Sequence, residues 1–201
     1  MPTSFATSQA VATSTAESVG AQPSSDPTTD DEDTDNDNGE VAALPEENES
    51  QYLSPVTVGG QTVQLAFDTG SSDLWVFSTE LPSDHIGQHS VFDPTKSSTW
   101  EEYGGSSWQI RYGDGSGASG TVGFDTVEVG EITVTRQAVE IATSISQAFI
   151  DDPNNDGLLG LGFGHINTIE PEQQNTFFEN VMEELDMPLF TADLHEDESG
   201  T

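Results

Sequence analysis

A mainly-β domain is what this sequence predicts, and three observations predict it. Apolar residues alternate with polar ones in short runs, the period-2 pattern of strands with one buried face. Glycine-rich turns separate these runs at short intervals. Helix signals occur in one stretch only, close to the C-terminal end.

The elements follow in order from residue 51. Val56 and Val58, then Val63, Leu65 and Phe67, alternate on either side of Gly59-Gly60, which marks a hairpin. Leu74-Trp75-Val76-Phe77 reads as a short buried strand, followed by a polar loop from Ser78 to Ser90. The stretch SSWQIRYGDGSGASGTVGFDTVEV reads as two strands around a Gly-Asp-Gly-Ser-Gly turn. Val127, Val129, Ile132 and Val134 alternate around Gly130-Glu131, a further hairpin, and Ala138–Ile141 adds another strand. Asn154-Asn155-Asp156-Gly157 turns the chain into Leu158-Leu159-Gly160-Leu161-Gly162. The one helix starts at Thr176, an N-cap residue, with Glu179 three positions on to complete a capping box. Phe177, Val181, Met182 and Leu185 share its apolar face, and Pro188 lies beyond its end.

Charge excludes several functions. The chain has 37 acidic residues and 3 basic ones, Lys96, Arg111 and Arg136, for a net charge of −34. Nucleic acid is not an expected partner, because phosphate binding needs Lys and Arg. An anionic membrane surface is disfavoured for the same reason. So much like charge strains a compact state at neutral pH, and low pH or high salt relieves it. With no Cys, there is no disulfide and no thiol chemistry. No run approaches the roughly 20 apolar residues of a membrane span. The N-terminus shows neither a basic nor an apolar segment of the signal-peptide kind.

Residues 1–48 read as a disordered acidic Ser/Thr-rich tail, a possible propeptide remnant. They contain Phe5 but no Trp or Tyr, too little apolar surface to offset the entropy of ordering. Residues 49–195 read as the folded domain, and 196–201 as a truncated C-terminal end.

The sharpest chemical feature is Phe67-Asp68-Thr69-Gly70-Ser71-Ser72 at the end of an apolar strand, with Leu74-Trp75-Val76 behind it. A carboxylate there, followed by glycine, sits in a tight loop whose backbone can approach a partner closely. Thr69, Ser71 and Ser72 add hydroxyls that can orient it. The segment AFDTGSSDLWVFS closely resembles the N-terminal active-site loop of pepsin-like aspartic proteases, especially the secreted fungal type. Tyr112-Gly113-Asp114-Gly115-Ser116 with Ala118-Ser119-Gly120 is similar to the family's flap. Asp156–Gly162 is similar to the apolar-apolar-glycine element that crosses beneath the active-site loop. These segments stand in the family's order, and the match covers residues 51 to about 194.

The resemblance implies the N-terminal lobe of a pepsin-like acid protease, a six-stranded-type β-barrel or sandwich with a flap hairpin and one late helix. It implies an extracellular, secreted aspartic-type endopeptidase that needs no cofactor and no metal. Asp68 would be one of two catalytic aspartates. Thr69 and Gly70 would complete its loop, and Ser71 would orient its carboxylate. Tyr112 would be the flap tyrosine, bonded to the indole of Trp75. Gly113 and Asp114 would meet the substrate, a peptide or protein. The second aspartate of the family comes from a C-terminal lobe that the sequence does not reach. The match of Glu198-Ser199-Gly200-Thr201 to D-S-G-T follows no apolar strand and reads as chance.

Three functions stay open: half of an acid endopeptidase, an active homodimer with one Asp68 from each copy, or an inactive single lobe that binds peptides. Asp152-Pro153-Asn154-Asn155-Asp156-Gly157 fits the opening of a calcium loop, but Phe163 stands where that loop needs an acid. His85, His89, His165 and His195 have no metal-site spacing. Asn48-Glu49-Ser50 is one glycosylation sequon.

Overall fold

The computed structural model describes residues 39–46 and 51–194. Among these residues nine strands follow in chain order: β1 Leu44–Pro45, β2 Tyr52–Val58, β3 Gln61–Asp68, β4 Leu74–Val76, β5 Glu101–Glu102, β6 Trp108–Arg111, β7 Gly117–Val129, β8 Ile132–Ile145 and β9 Gly157–Gly160. Three short helices are α1 Ser83–Ile86, α2 Gln147–Ile150 and α3 Phe177–Val181. The mainly-β expectation holds, while the helical turns α1 and α2 come in addition to the one helix the sequence signals.

Neighbouring strands run β1-β2-β3-β9-β4-β8-β7-β5, with β6 on β7. A further pairing of β2 with β7, Val56 opposite Val129, joins the two flanks. The ring β2-β3-β9-β4-β8-β7 is thereby closed, and a closed barrel leaves those strands no free edge.

Alternation along the strands sorts side chains into two apolar clusters. Val56, Val58, Val63, Leu65, Leu74, Val76, Val139, Ile141 and Leu159 fill one, with Phe177 and Val181 of α3 packed against it. Trp75, Phe77, Trp108, Val122, Phe124, Ala138, Ala142 and Leu158 form the other. Adjacent residues on β4, β8 and β9 thus serve opposite faces, as the pleat requires.

Strands β7 and β8 are much longer than the short runs the sequence suggests, at 13 and 14 residues. Gly120 and Gly123 interrupt the apolar pattern without ending the strand. Register shifts at Ser119/Gly120 and Asp125/Val127 bend it instead, so one hairpin serves as both barrel wall and flap support.

Most of the 1–48 tail lies outside the described residues, as do the glycosylation sequon, His195 and the segment 196–201. Residues 39–46 are described, and there Leu44 pairs with Leu53 and Pro45 with Tyr52. The folded part therefore begins ahead of residue 49: β7 pairs only with Val56–Val58 of β2, and the Tyr52–Leu53 end of that strand, beyond the ring closure, accepts the extra backbone.

Helix α3 carries the expected capping box. The Thr176 hydroxyl accepts from Glu179 N at 3.2 Å, and the Glu179 carboxylate accepts from Thr176 N at 3.2 Å. The same carboxylate accepts from Gly164 N at 2.9 Å, so it also ties the helix to the segment after β9. Thr176→Ala should lower stability by about 1 kcal/mol in chemical denaturation.

Candidate active site

The site grows from one crossing of the chain. Strand β9 lies between β3 and β4, parallel to the first and antiparallel to the second. Residues 69–73, which link β3 to β4, must therefore arch over the end of β9. Three backbone bonds hold the arch: Gly160 N donates to Asp73 O at 2.9 Å, Leu161 N to Asp68 O at 2.8 Å, and Gly162 N to Ser71 O at 2.8 Å. Only glycine permits the contact. A Cβ on Gly160 would stand 2.6 Å from Ser72 Cα, and one on Gly162 would stand 2.7 Å from Ser71 O.

Asp68 ends β3, with its Cα opposite Gly160. It is partly exposed, and Thr69 and Gly70 beside it are exposed, while Ser71, Ser72 and Asp73 are buried. The Asp68 Oδ1 accepts from Gly70 N at 2.8 Å. The orienting bond expected from Ser71 is not formed: its hydroxyl is packed under the arch without a hydrogen-bond partner. The backbone N–H of Gly70 fixes the carboxylate in its place. Ser72 instead pins the arch to the segment after β9, its Oγ donating to Phe163 O at 2.8 Å.

The flap stands on the other side. β6 and β7 form its arms, and Tyr112–Ser116 its tip, closed by Tyr112 N donating to Ser116 O at 2.9 Å. Gly113 and Asp114 are exposed at that tip. Asp114 folds onto its own turn, accepting from Ser116 N at 2.8 Å and Ser116 Oγ at 2.7 Å, and these bonds hold its carboxyl below the usual range. The indole of the buried Trp75 donates from Nε1 to Tyr112 Oη at 2.8 Å, the contact the resemblance implies. Burial pushes the Tyr112 phenol well above its ordinary value, with the negative charges of Asp73, Asp68 and Glu140 adding to the effect. Phe149 of α2 packs edge-on against both rings, at 4.9 Å from Trp75 and 5.8 Å from Tyr112.

Tyr112→Phe keeps this packing but leaves the Trp75 N–H, in a fully buried side chain, without an acceptor. A loss of about 1–3 kcal/mol in urea denaturation is expected.

One group of residues at the site gave no signal in the sequence reading. Asp73 at the foot of the arch is fully buried, and Glu140 on β8 is 1% exposed. Asn167 joins them, its Nδ2 donating to Ser72 O at 3.1 Å, Asp73 Oδ1 at 3.2 Å and Glu140 Oε1 at 3.2 Å. Thr168 gives Asp73 Oδ1 two more bonds, from N at 2.8 Å and from Oγ1 at 2.9 Å. The available hint was a lone acid inside the apolar run Ala138-Val139-Glu140-Ile141-Ala142.

The calcium-loop segment is put to other use. Asp156 turns inward and accepts from Gln64 N and Ser90 N, each at 2.8 Å, and burial raises its carboxyl. His89 is buried too, stacked on Phe77 at 3.9 Å, with Nδ1 3.0 Å from Asn155 O.

A groove of about 770 Å³ runs along the barrel flank, lined by Ser107, Trp108, Thr143, Asn167 and Glu170 among others. Asp68, Thr69, Gly70 and Tyr112 do not line it. Thr69 and Gly70 are open to solvent, and Asp68 is partly so.

A closed barrel, a D-T-G arch crossed by an inner strand, and a flap tyrosine bonded to the tryptophan behind the arch together define one lobe of an acid-protease fold. The family model described as eukaryotic aspartyl protease matches residues 51–201. The chain belongs to that family. It is 53% identical over 163 residues to penicillopepsin-1 of Penicillium rubens, which covers 81% of this chain and 41% of the relative. It is 53% identical over 156 residues to aspergillopepsin-1 of Aspergillus flavus, covering 78% of this chain and 38% of the relative. Against penicillopepsin-1 of Penicillium janthinellum the identity is 51%, over 81% of this chain and 50% of the relative. The chain thus spans half or less of the length of these curated relatives.

Proposed function

We propose that the chain supplies one half of an acid endopeptidase centre. Asp68 is one of two catalytic aspartates, and the second carboxylate comes from a further lobe or from a second copy of the chain. The observation that supports this most is the state of Asp68 itself. Its carboxylate stands partly exposed at a rigid strand end, and Gly70 N is its one hydrogen-bond donor among the described residues, on Oδ1. Oδ2 would meet the partner carboxyl in the assembled centre.

Two carboxyls brought face to face keep one proton between them, because both cannot ionise at close range. The ionised member takes a proton from a water as its oxygen attacks the peptide carbonyl carbon. The protonated member gives its proton to the carbonyl oxygen. Collapse of the tetrahedral intermediate breaks the C–N bond, with a proton passing to the leaving nitrogen. Gly113 and Asp114, exposed at the flap tip, would meet an extended peptide. Trp75 and Tyr112 hold the flap over it.

Mild acid is the working condition this reading calls for. The shared proton must be retained, and protonation relieves the repulsion within a chain of net charge −34. Secretion, implied by the resemblance to fungal extracellular enzymes, belongs to the same reading. The test is cleavage of an unfolded protein by the chain assembled with a second lobe, across pH, with and without a transition-state-mimic inhibitor. Cleavage that peaks in acid and stops with the inhibitor is expected. A maximum at neutral pH, or no effect of the inhibitor, would contradict it.

A further inference from the structure

We infer that Glu140 is a positioning residue for the Asp68 arch: its carboxyl shares a single proton with Asp73 behind the arch, and the loss of that proton releases the arch. This rests on reading the arch as the catalytic loop, but the test below reads the fold and not the peptidase activity. The two can therefore fail separately.

The geometry carries the inference. Asp73 and Glu140 are both buried, and Asn167 bridges them by donating to Asp73 Oδ1 and to Glu140 Oε1, each at 3.2 Å. Every donor that reaches Asp73 goes to Oδ1. Asp73 Oδ2 and Glu140 Oε2 are the two oxygens with no donor. Two buried carboxyls whose unsatisfied oxygens belong to the same cluster are completed by one proton between them. Without it, both would be buried, charged and mutually repelling.

Among the described residues no nearby cation offers another solution. From the arch Glu140 is faced by Asp73, and from the flap by the Tyr112 phenol. The residue opposite on β7 is Val122, and on β4 it is Trp75. The segment after β9 contributes the neutral Asn167. Lys96 pairs with Asp93, Arg136 pairs with Glu101, and Arg111 is exposed on β6.

Burial first, and then the Asp73 charge, hold the Glu140 carboxyl well above the usual carboxylate range. The sign follows. The native state binds this proton more tightly than the unfolded chain, so stability falls as pH rises. The contribution is whole below the ordinary carboxylate range. It is lost progressively above that range, toward the raised value. Once two charges stand behind the arch, the bonds from Thr168 and Asn167 to Asp73 no longer hold it. The residues 68–73 that carry the catalytic carboxylate then lose their anchor.

The experiment follows unfolding of the full chain by near-ultraviolet circular dichroism from about pH 4 to about pH 8. Glu140→Gln is compared with the wild type, since its amide donates to Asp73 at any pH. The variant's midpoint should lie higher by about one pH unit or more, and the transition should involve about one proton fewer. A variant that folds in acid and unfolds on the wild-type profile overturns the inference. If Glu140→Gln does not fold, the infrared carbonyl band of a protonated carboxyl decides the matter in the wild type. At about pH 6.5 exposed carboxyls have ionised, so persistence of that band in an Asp156→Asn background, which removes the other carboxyl raised by burial, supports the shared proton. Its absence overturns it.

Discussion

On the proposed reading, Asp68→Asn is expected to lower kcat/KM of the assembled protease by about 10²–10⁴-fold or more, since it removes one of the two carboxyls that would share the proton and activate water. The fold should hardly notice. The asparagine Oδ1 can keep the bond from Gly70 N, and the side chain is partly exposed. A stability change within about 0.5 kcal/mol is anticipated, as for other exposed substitutions. Kinetics on the assembled enzyme and a thermal melt of the chain check the two halves. Lost activity with an unchanged melting temperature assigns the chemistry to Asp68. Retained activity would remove it from the centre.

The largest loss of stability should come from the strand beneath the arch. Leu159 is fully buried in the middle of β9, with its Cα opposite Phe67 on β3 and Leu74 on β4. Leu159→Ala leaves a void among Leu65, Leu74, Val139 and Ile141, between walls too regular to collapse into it. Such truncations cost about 2–5 kcal/mol. A domain of this size has about 5–15 kcal/mol in total, so the variant stands close to unfolding. In urea the midpoint should fall by about 1–2 M at constant slope. A shift of a few tenths of a molar would mean that β9 contributes less than its place in the ring implies.

Local chemistry was legible in the sequence, and long-range crossing was not. Gly59-Gly60 and Gly130-Glu131 announced their hairpins because turn geometry demands glycine there, at φ of 52°, 77° and 58° for the three glycines. Thr176 and Glu179 announced α3, because a capping box lies within four residues. The D-T-G-S-S segment and the flap were legible through a resemblance, which also implied the Trp75–Tyr112 bond. The insertion of β9 between β3 and β4 joins Asp68 to Gly160, and no periodicity records a pairing at that separation. Glu140 shows the same limit. Alternation gives the face its side chain uses, but not that Asp73 waits there. Ser71 shows a different one, since a hydroxyl near a carboxylate in sequence turned under the arch instead.

The central claim is that Asp68 is half of a centre. The most direct test measures cleavage of an unfolded protein in mild acid alongside the sedimentation state of the chain, over a range of chain concentrations, with Asp68→Asn as control. The account predicts that the monomer cleaves nothing. Activity should appear only in assemblies that set a second carboxylate against Asp68, whether from an added lobe or a second copy, and should vanish in the variant. Turnover by the monomer, linear in its concentration and untouched by Asp68→Asn, would contradict it.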